Sequence, residues 1–448
     1  MSESIHGMWS SRLMFILAAA GSAVGLGNIW RFPYVAGENG GGAFVLVYLV
    51  CIFLIGIPIM TSEIVLGRAG RKSPINTMQD LAAQSSASQG WSVIGWMGAL
   101  AGFLILSFYA VIAGWAMAYI FELASGTFVG ADGAKAELVF NDFIGSPGSV
   151  LLWHAIFMLI TVFIVARGVE EGLEKAVKYL MPALFFLLLV LVGYSMTSGY
   201  FGQGLAFLFS LNFEALTWGG VLMAMGQAFF TLSLGMGAIM TYGAYMPKDA
   251  SIVTSAVQIA LLDTSVALLA GLAIFPLVFA NGLETSSGPG LMFVTLPLAF
   301  GQMSGGVIFG TAFFILVTFA AITSAISLVE PALSWLVEKL QTTRMVGAII
   351  VGVIAWIFGL GSAFSSNIWS DVYLLPGKTY FDSMDYVSNN IMLPVGGMLI
   401  ALFSGWVLDR KVRQEQLGLS DGWMTVWQIL VRFVSPLAVL VVFVMTFV

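Results

Sequence analysis

A chain of 448 residues that is 59% hydrophobic and only 9% charged, with a mean hydropathy of +0.97, is far too apolar for a soluble globule, in which about 25% of residues are charged. Its formal charge of −6 is spread over short loops and leaves no basic stripe for a nucleic acid. The single cysteine, Cys51, permits no internal disulfide, and no Cys/His spacing suggests a metal centre.

Apolar runs of about 20 residues, the length that crosses a bilayer, recur along the whole chain. Eleven are predicted, at about 11–36, 42–67, 92–121, 150–166, 176–197, 218–243, 252–280, 305–337, 345–361, 388–408 and 424–448. The expectation is an all-α polytopic membrane protein, a single domain over 1–448 with no soluble domain between spans. Met1 to Ser11 is polar and the first run passes into glycines rather than a cleavage site, so the first helix is expected to stay. With that terminus cytoplasmic, Arg12, Arg68, Arg71, Lys72, Arg167, Lys175, Lys178, Lys248, Lys339, Arg344, Arg410, Lys411 and Arg413 fall inside and only Lys135 and Lys378 outside. That asymmetry follows the positive-inside rule, and an odd span count puts the C-terminus outside, as in a multi-pass protein of the cell (inner) membrane.

Two spans are interrupted by glycine, in matching places of the two halves. The first reads Gly21-Ser22-Ala23-Val24-Gly25-Leu26-Gly27-Asn28, followed by Arg31 and Pro33; the second reads Thr231-Leu232-Ser233-Leu234-Gly235-Met236-Gly237. Loose backbone at membrane depth survives only where it faces protein or a water-filled cavity, and paired interruptions point to the binding site of a transporter. Spans one to five (about 11–197) and six to ten (about 218–408) read as a 5+5 inverted repeat, with 424–448 appended. The outer stretches Glu122 to Ser149 and Asn281 to Ser304, the latter with Pro289 and Pro297, are expected to hold short surface helices, the second suited to act as a lid. Gly172 and Pro182 bracket the start of the fifth span, which reads either as a turn that unwinds cheaply or as an ordinary helix start.

Ionisable residues within spans are costly and default to functional readings; here they are Arg31, Glu63, Asp263, Glu330 and Arg432. An ionised Asp263 deep in the seventh span needs a cation beside it, and hard cations such as sodium take oxygen ligands. Asn28, Thr231 and the Ala23 carbonyl are candidates, and Thr323 and Ser324 in the eighth span form a second hydroxyl pair, unless they bond back to their own helix. Arg31 and Asp385 form a natural outer pair, Glu63 and Glu330 read as acceptors for neighbouring backbone, and Arg432 as a packing or headgroup anchor.

Gly25-Leu26-Gly27-Asn28-Ile29-Trp30-Arg31-Phe32-Pro33-Tyr34, then Glu38-Asn39-Gly40-Gly41-Gly42-Ala43-Phe44, and Gly226-Gln227-Ala228-Phe229-Phe230-Thr231-Leu232-Ser233-Leu234-Gly235 resemble the neurotransmitter:sodium symporter family. The resemblance implies the LeuT fold, with eleven transmembrane helices and helices one and six unwound at mid-membrane. It implies a first sodium on Ala23, Asn28, Thr231, Asp263 and the substrate carboxylate, and a second on Gly21, Val24, Ala320, Thr323 and Ser324. Substrate contacts by the same resemblance are Ala23, Gly25, Gly27, Ile105, Tyr109, Phe230, Ser233, Met236, Ser324 and Leu328. Monoamine carriers of the family have an Asp at the position of Gly25, so glycine there favours amino acids, and Ile105, Phe230, Met236 and Leu328 give an apolar pocket with Met236 as its adaptable wall. Ala267 stands where chloride-dependent relatives have Ser, and Asp263 one turn earlier offers the fixed negative charge, so chloride is not expected. Trp9, Tyr245 and Glu338 match the inner closing elements, with His6 in place of a fixed cation, which makes that contact sensitive to pH.

The function expected is sodium-coupled symport of hydrophobic or aromatic L-amino acids, or else of a β/γ-amino acid or taurine-like osmolyte. The partners are a small solute and the lipid bilayer, in a monomer or weak homodimer. An ion channel is disfavoured because the breaks alternate with bulky Tyr109 and Phe230 and no repeated filter occurs. An enzyme is disfavoured because His6 and His154 are the only histidines and neither has catalytic spacing to an acid.

Overall fold

The computed structural model describes residues 5–283 and 290–445. The helices in chain order are α1 (Arg12–Ala23), α2 (Gly27–Glu38), α3 (Gly42–Gly70), α4 (Pro74–Gln84), α5 (Gln89–Ala124), α6 (Gly133–Gly145), α7 (Pro147–Ala166), α8 (Val169–Met196) and α9 (Phe201–Phe209). They continue with α10 (Trp218–Thr231), α11 (Ala238–Ala244), α12 (Ile252–Ala280), α13 (Leu291–Gln302), α14 (Gly306–Leu340) and α15 (Arg344–Phe364). A short hairpin of β1 (Tyr373–Leu375) and β2 (Lys378–Thr379) precedes α16 (Tyr380–Val407), α17 (Arg410–Leu417) and α18 (Asp421–Met445).

Among the described residues nine helices are long and apolar enough to cross a bilayer, and α1 with α2, bent by 53° at their junction, makes a tenth. The sixth expected span, 218–243, is two helices, α10 and α11, each too short to cross alone. The surface helices expected outside appear as α6 and α13; Pro289 and its neighbours 284–289 lie outside the described residues. Helices α4, α9 and α17 have no counterpart in the sequence reading because they are too short or too polar to register as spans.

In lipid no hydrophobic drive separates helix from solvent, so association relies on close packing over small residues. A Cβ on Gly67 would lie 1.9 Å from the Met240 carbonyl oxygen, and one on Gly114 would lie 2.9 Å from the His154 amide. Glycine thus lets α3 touch α11 and α5 touch α7. A Cβ on Gly172 would sit 2.1 Å from the Ile164 carbonyl. Gly172 therefore fits an ordinary close contact with α7, and Pro182 lies inside a continuous α8.

Candidate functional site

Two breaks in the helical backbone face each other. At the first, Val24 is extended (ψ 104°), freeing the carbonyls before it and the Gly25 amide, which donates to Asn28 Oδ1 at 3.0 Å. At the second, residues 232–237 leave the helix with Ser233, Gly235 and Gly237 at φ 55°, 79° and 74°. That left-handed geometry suits glycine at Gly235 and Gly237. Glu63 Oε1 accepts from the Gly235 amide at 2.6 Å, in line with the backbone-bonding role expected of it. The Ser233 hydroxyl donates to the Ser22 carbonyl at 3.0 Å and ties one break to the other.

Asp263 is fully buried on α12 and faces both breaks. Asn28 Nδ2 donates to its Oδ1 at 2.7 Å and to its carbonyl at 3.1 Å, and the Thr231 hydroxyl donates to Oδ2 at 3.0 Å. The structure brings together these three predicted residues, and the hydrogen-bonding partners of the carboxylate are neutral. A buried carboxylate without a counter-ion is costly, and its surroundings are oxygen-rich, the chemistry a hard monovalent cation requires.

The second predicted set divides. Ser324 Oγ lies 3.2 Å from the Ser22 carbonyl, 3.3 Å from that of Val24 and 3.5 Å from that of Gly21, so it meets the oxygens freed by the first break. Thr323 instead donates back to Ala320 at 3.0 Å and Phe319 at 3.2 Å, the local bond open to any helical hydroxyl. It still stands beside the break, with its Cβ 3.2 Å from where a Gly21 side chain would begin.

Between the breaks and helices α5 and α14 lies a narrow cavity of about 30 Å³. All ten residues expected to touch substrate line it, with Ser22 and Leu26 in addition. The walls of Ile105, Tyr109, Phe230, Met236 and Leu328 are apolar or aromatic, while Ser324, Ser233 and loose backbone supply the polar end. A side chain on Gly25 would begin 2.5 Å from Ser324 Oγ and 2.9 Å from the Tyr109 hydroxyl, so the cavity exists because residue 25 has none.

On the outer side, Arg31 and Asp385 do not form an ion pair within 4.0 Å. The Arg31 guanidinium lies over the Phe230 ring, 4.7 Å from its centroid, and Asp385 accepts from Asn389 at 2.6 Å. A larger cavity of about 360 Å³, lined by Arg31, Phe230, Asn389 and Leu222 among others, opens beyond that stacked pair.

The other end is closed. Trp9 is buried, donating from its amide to the Tyr245 carbonyl at 2.9 Å and from Nε1 to that of Tyr242 at 3.1 Å. His6 Nε2 lies 2.8 Å from Glu338 Oε1, and the Ser73 amide and Asn76 side chain donate to the same carboxylate at 2.7 and 2.5 Å. Glu330 departs from the backbone-bonding role expected of it: it pairs with Arg344 at 2.5 Å and accepts from the Tyr245 hydroxyl at 2.7 Å. A basic residue at the start of α15 reads in sequence as a loop charge, and only the packing of α15 on α14 turns it inward. Ser73, Asn76 and Ser22 carried no separate signal in the sequence, since each acts through a partner remote along the chain.

Comparison with known proteins agrees with this fold. The family model described as the sodium:neurotransmitter symporter family matches residues 6–129 and 134–448. The chain is similar to a crystal structure of MhsT in complex with L-phenylalanine, at 48% identity and a TM-score of 0.91 over 98% of this chain and 99% of that one. It is 40% identical to the "uncharacterized sodium-dependent transporter YhdH" of Bacillus subtilis over 99% of this chain and 98% of that protein, and 36% identical to an "uncharacterized sodium-dependent transporter" of Haemophilus influenzae over 97% of each. Joined to the apolar helices and the facing breaks, a match along nearly the whole length makes this chain a member of the sodium:neurotransmitter symporter family, a sodium-dependent, multi-pass membrane transporter and not an enzyme.

Proposed function

We propose that the protein carries hydrophobic or aromatic L-amino acids into the cell together with sodium, by alternating access. The observation that carries this reading is one buried carboxylate, Asp263, held by neutral partners beside two opened backbones and a pocket walled by Ile105, Tyr109, Phe230, Met236 and Leu328. The similar MhsT chain crystallised with L-phenylalanine lends support. One sodium is held by Asp263, Asn28, Thr231 and the Ala23 carbonyl, and the substrate carboxylate completes that shell. A second sits against Ser324, Thr323 and the carbonyls of Gly21, Val24 and Ala320. A shared carboxylate makes each ligand favour the state that binds the other, which is the differential affinity that coupling requires.

The closed inner network of Trp9, Tyr245, His6 and Glu338 and the separated Arg31 and Asp385 fit an outward-facing arrangement. Transport then brings Arg31 to Asp385 over the solute and releases the inner contacts, with the segment from Gly172 to Pro182 loosening so that the second sodium hydrates. In this reading the two sets of five spans are inverted repeats, the N-terminus is cytoplasmic and the C-terminus lies outside the cell membrane.

The deciding experiment is sodium-driven uptake of labelled L-leucine into proteoliposomes with unlabelled amino acids as competitors. Leucine, tyrosine and tryptophan are expected to compete; competition by β-amino acids, GABA or taurine alone would replace the substrate class. Because Asp263 supplies the fixed negative charge and Ala267 offers no hydroxyl to an anion, replacing chloride by gluconate at constant sodium is expected to leave the uptake rate unchanged. A loss of about tenfold on chloride removal would assign that charge to the anion instead.

A further inference from the structure

Far from the substrate cavity, two arginines share one neutral acceptor. Arg413, on α17, donates from Nη1 to the Gly405 carbonyl at 2.5 Å, and Arg432, on α18, donates from Nε to the same oxygen at 2.6 Å. Neither forms an ion pair within 4.0 Å among the described residues. Arg413 is 6% exposed and its Nε has no partner. The hydroxyls of Ser404 and Ser435 nearby are likewise buried without one. Burial, followed by the neighbouring charge of Arg432, pushes the Arg413 guanidinium below its ordinary value. Of the charges facing it, Asp409 is attractive but already accepts from the Lys411 amide at 2.6 Å, while Arg410 is repulsive. Glu415, on the same helix, acts on Arg68.

The outward side of this cluster is apolar and aromatic. The Arg432 guanidinium lies 4.9 Å from the centroid of the Trp406 ring, and its two terminal nitrogens donate to no described residue. Trp406 and Phe433 meet edge to face at 5.4 Å and are 54% and 48% exposed on the surface that faces lipid. Trp406 stands one residue from the end of α16, and indoles are enriched where a bilayer meets water. Arg68 reaches Gln416 of α17, so this is the end of the bundle that carries the basic loops. A guanidinium has five donors in a planar fork that matches a phosphate, and basic pockets between helices on that side of a membrane suit lipid headgroups.

We propose that Arg432, backed by Arg413 and flanked by Trp406, binds the phosphate of an anionic phospholipid, whose chains lie along Trp406 and Phe433. The excess of cations over the single carboxylate of Asp409 favours a net-negative headgroup over a zwitterionic one.

The test is native mass spectrometry of the detergent-purified protein titrated with dioleoylphosphatidylglycerol, dioleoylphosphatidylcholine or inorganic phosphate. One phosphatidylglycerol is expected to bind about tenfold more tightly than phosphatidylcholine, the range of a charge-assisted contact. Arg432→Gln should remove that preference and Arg432→Lys should keep part of it, at unchanged lipid-free melting temperature. Equal binding of the two lipids, or a preference that survives in folded Arg432→Gln, overturns the site. Phosphate alone matching the lipid would make it a free-anion site and also overturns it. Should Arg432→Gln not fold, a photoreactive phosphatidylglycerol on the wild-type protein decides: labelling of 404–435 supports the site, and labelling only elsewhere overturns it.

Discussion

Replacing Asp263 by alanine is expected to abolish sodium-stimulated substrate binding. The carboxylate is fully buried, and its hydrogen bonds come from Asn28 and Thr231, which bring no charge of their own. In such a place it offers a fixed negative charge to a cation, and losing one member of a buried charged pair costs about 3–5 kcal/mol. That corresponds to more than about 100-fold in apparent sodium affinity. Asp263→Asn separates charge from architecture, since its amide oxygen still accepts from Asn28 while the charge is gone. Binding of a labelled amino acid titrated with sodium should show both variants far to the right of wild type. Retained sodium dependence in Asp263→Ala would remove this residue from the cage.

Gly25→Ala is expected to raise the KM for uptake by roughly 10- to 100-fold, from an overpacking cost of about 1–3 kcal/mol. The new methyl would begin 2.5 Å from Ser324 Oγ and 2.9 Å from the Tyr109 hydroxyl. Ser324 can move only by giving up its approach to the carbonyls of Ser22 and Val24, so the change should also weaken the response to sodium. Gly27→Ala is the control. Its methyl would meet the Phe230 ring edge at 2.8 Å, the far end of a side chain on the rim that can swing away, so its effect should be smaller. Wild-type affinity in Gly25→Ala would mean that the substrate does not lie against residue 25.

The two breaks and the acid of the candidate site were legible because their signals are local, whereas the pocket residues Ile105, Tyr109 and Leu328 came only from the family resemblance. Glycine pairs inside apolar runs and a lone Asp263 in a span violate what a bilayer tolerates, and such violations are visible one residue at a time. What escaped depends on distance between helices. Glu330 and Arg344 sit fourteen positions apart across a turn, one reading as a span acid and the other as a loop cation, and nothing in their spacing says that they meet. Arg31 and Asp385 are natural partners by position, yet Arg31 stacks on Phe230 and Asp385 accepts from Asn389 instead. Thr323 and Ser324 are adjacent hydroxyls of one helix. Successive residues point about 100° apart, so one faces the broken backbone and the other bonds to its own turn.

Composition by itself determined that this is a membrane protein with a short list of costly groups, because each span's length and each buried charge answers to the bilayer residue by residue. Only the tertiary structure decided which carbonyls meet Ser324, why Gly172 is a glycine, that Glu330 is neutralised by Arg344, and that Arg413 and Arg432 converge on Gly405. Those outcomes are set by the approach of one helix to another within a few tenths of an ångström, and that distance depends on side chains remote along the chain.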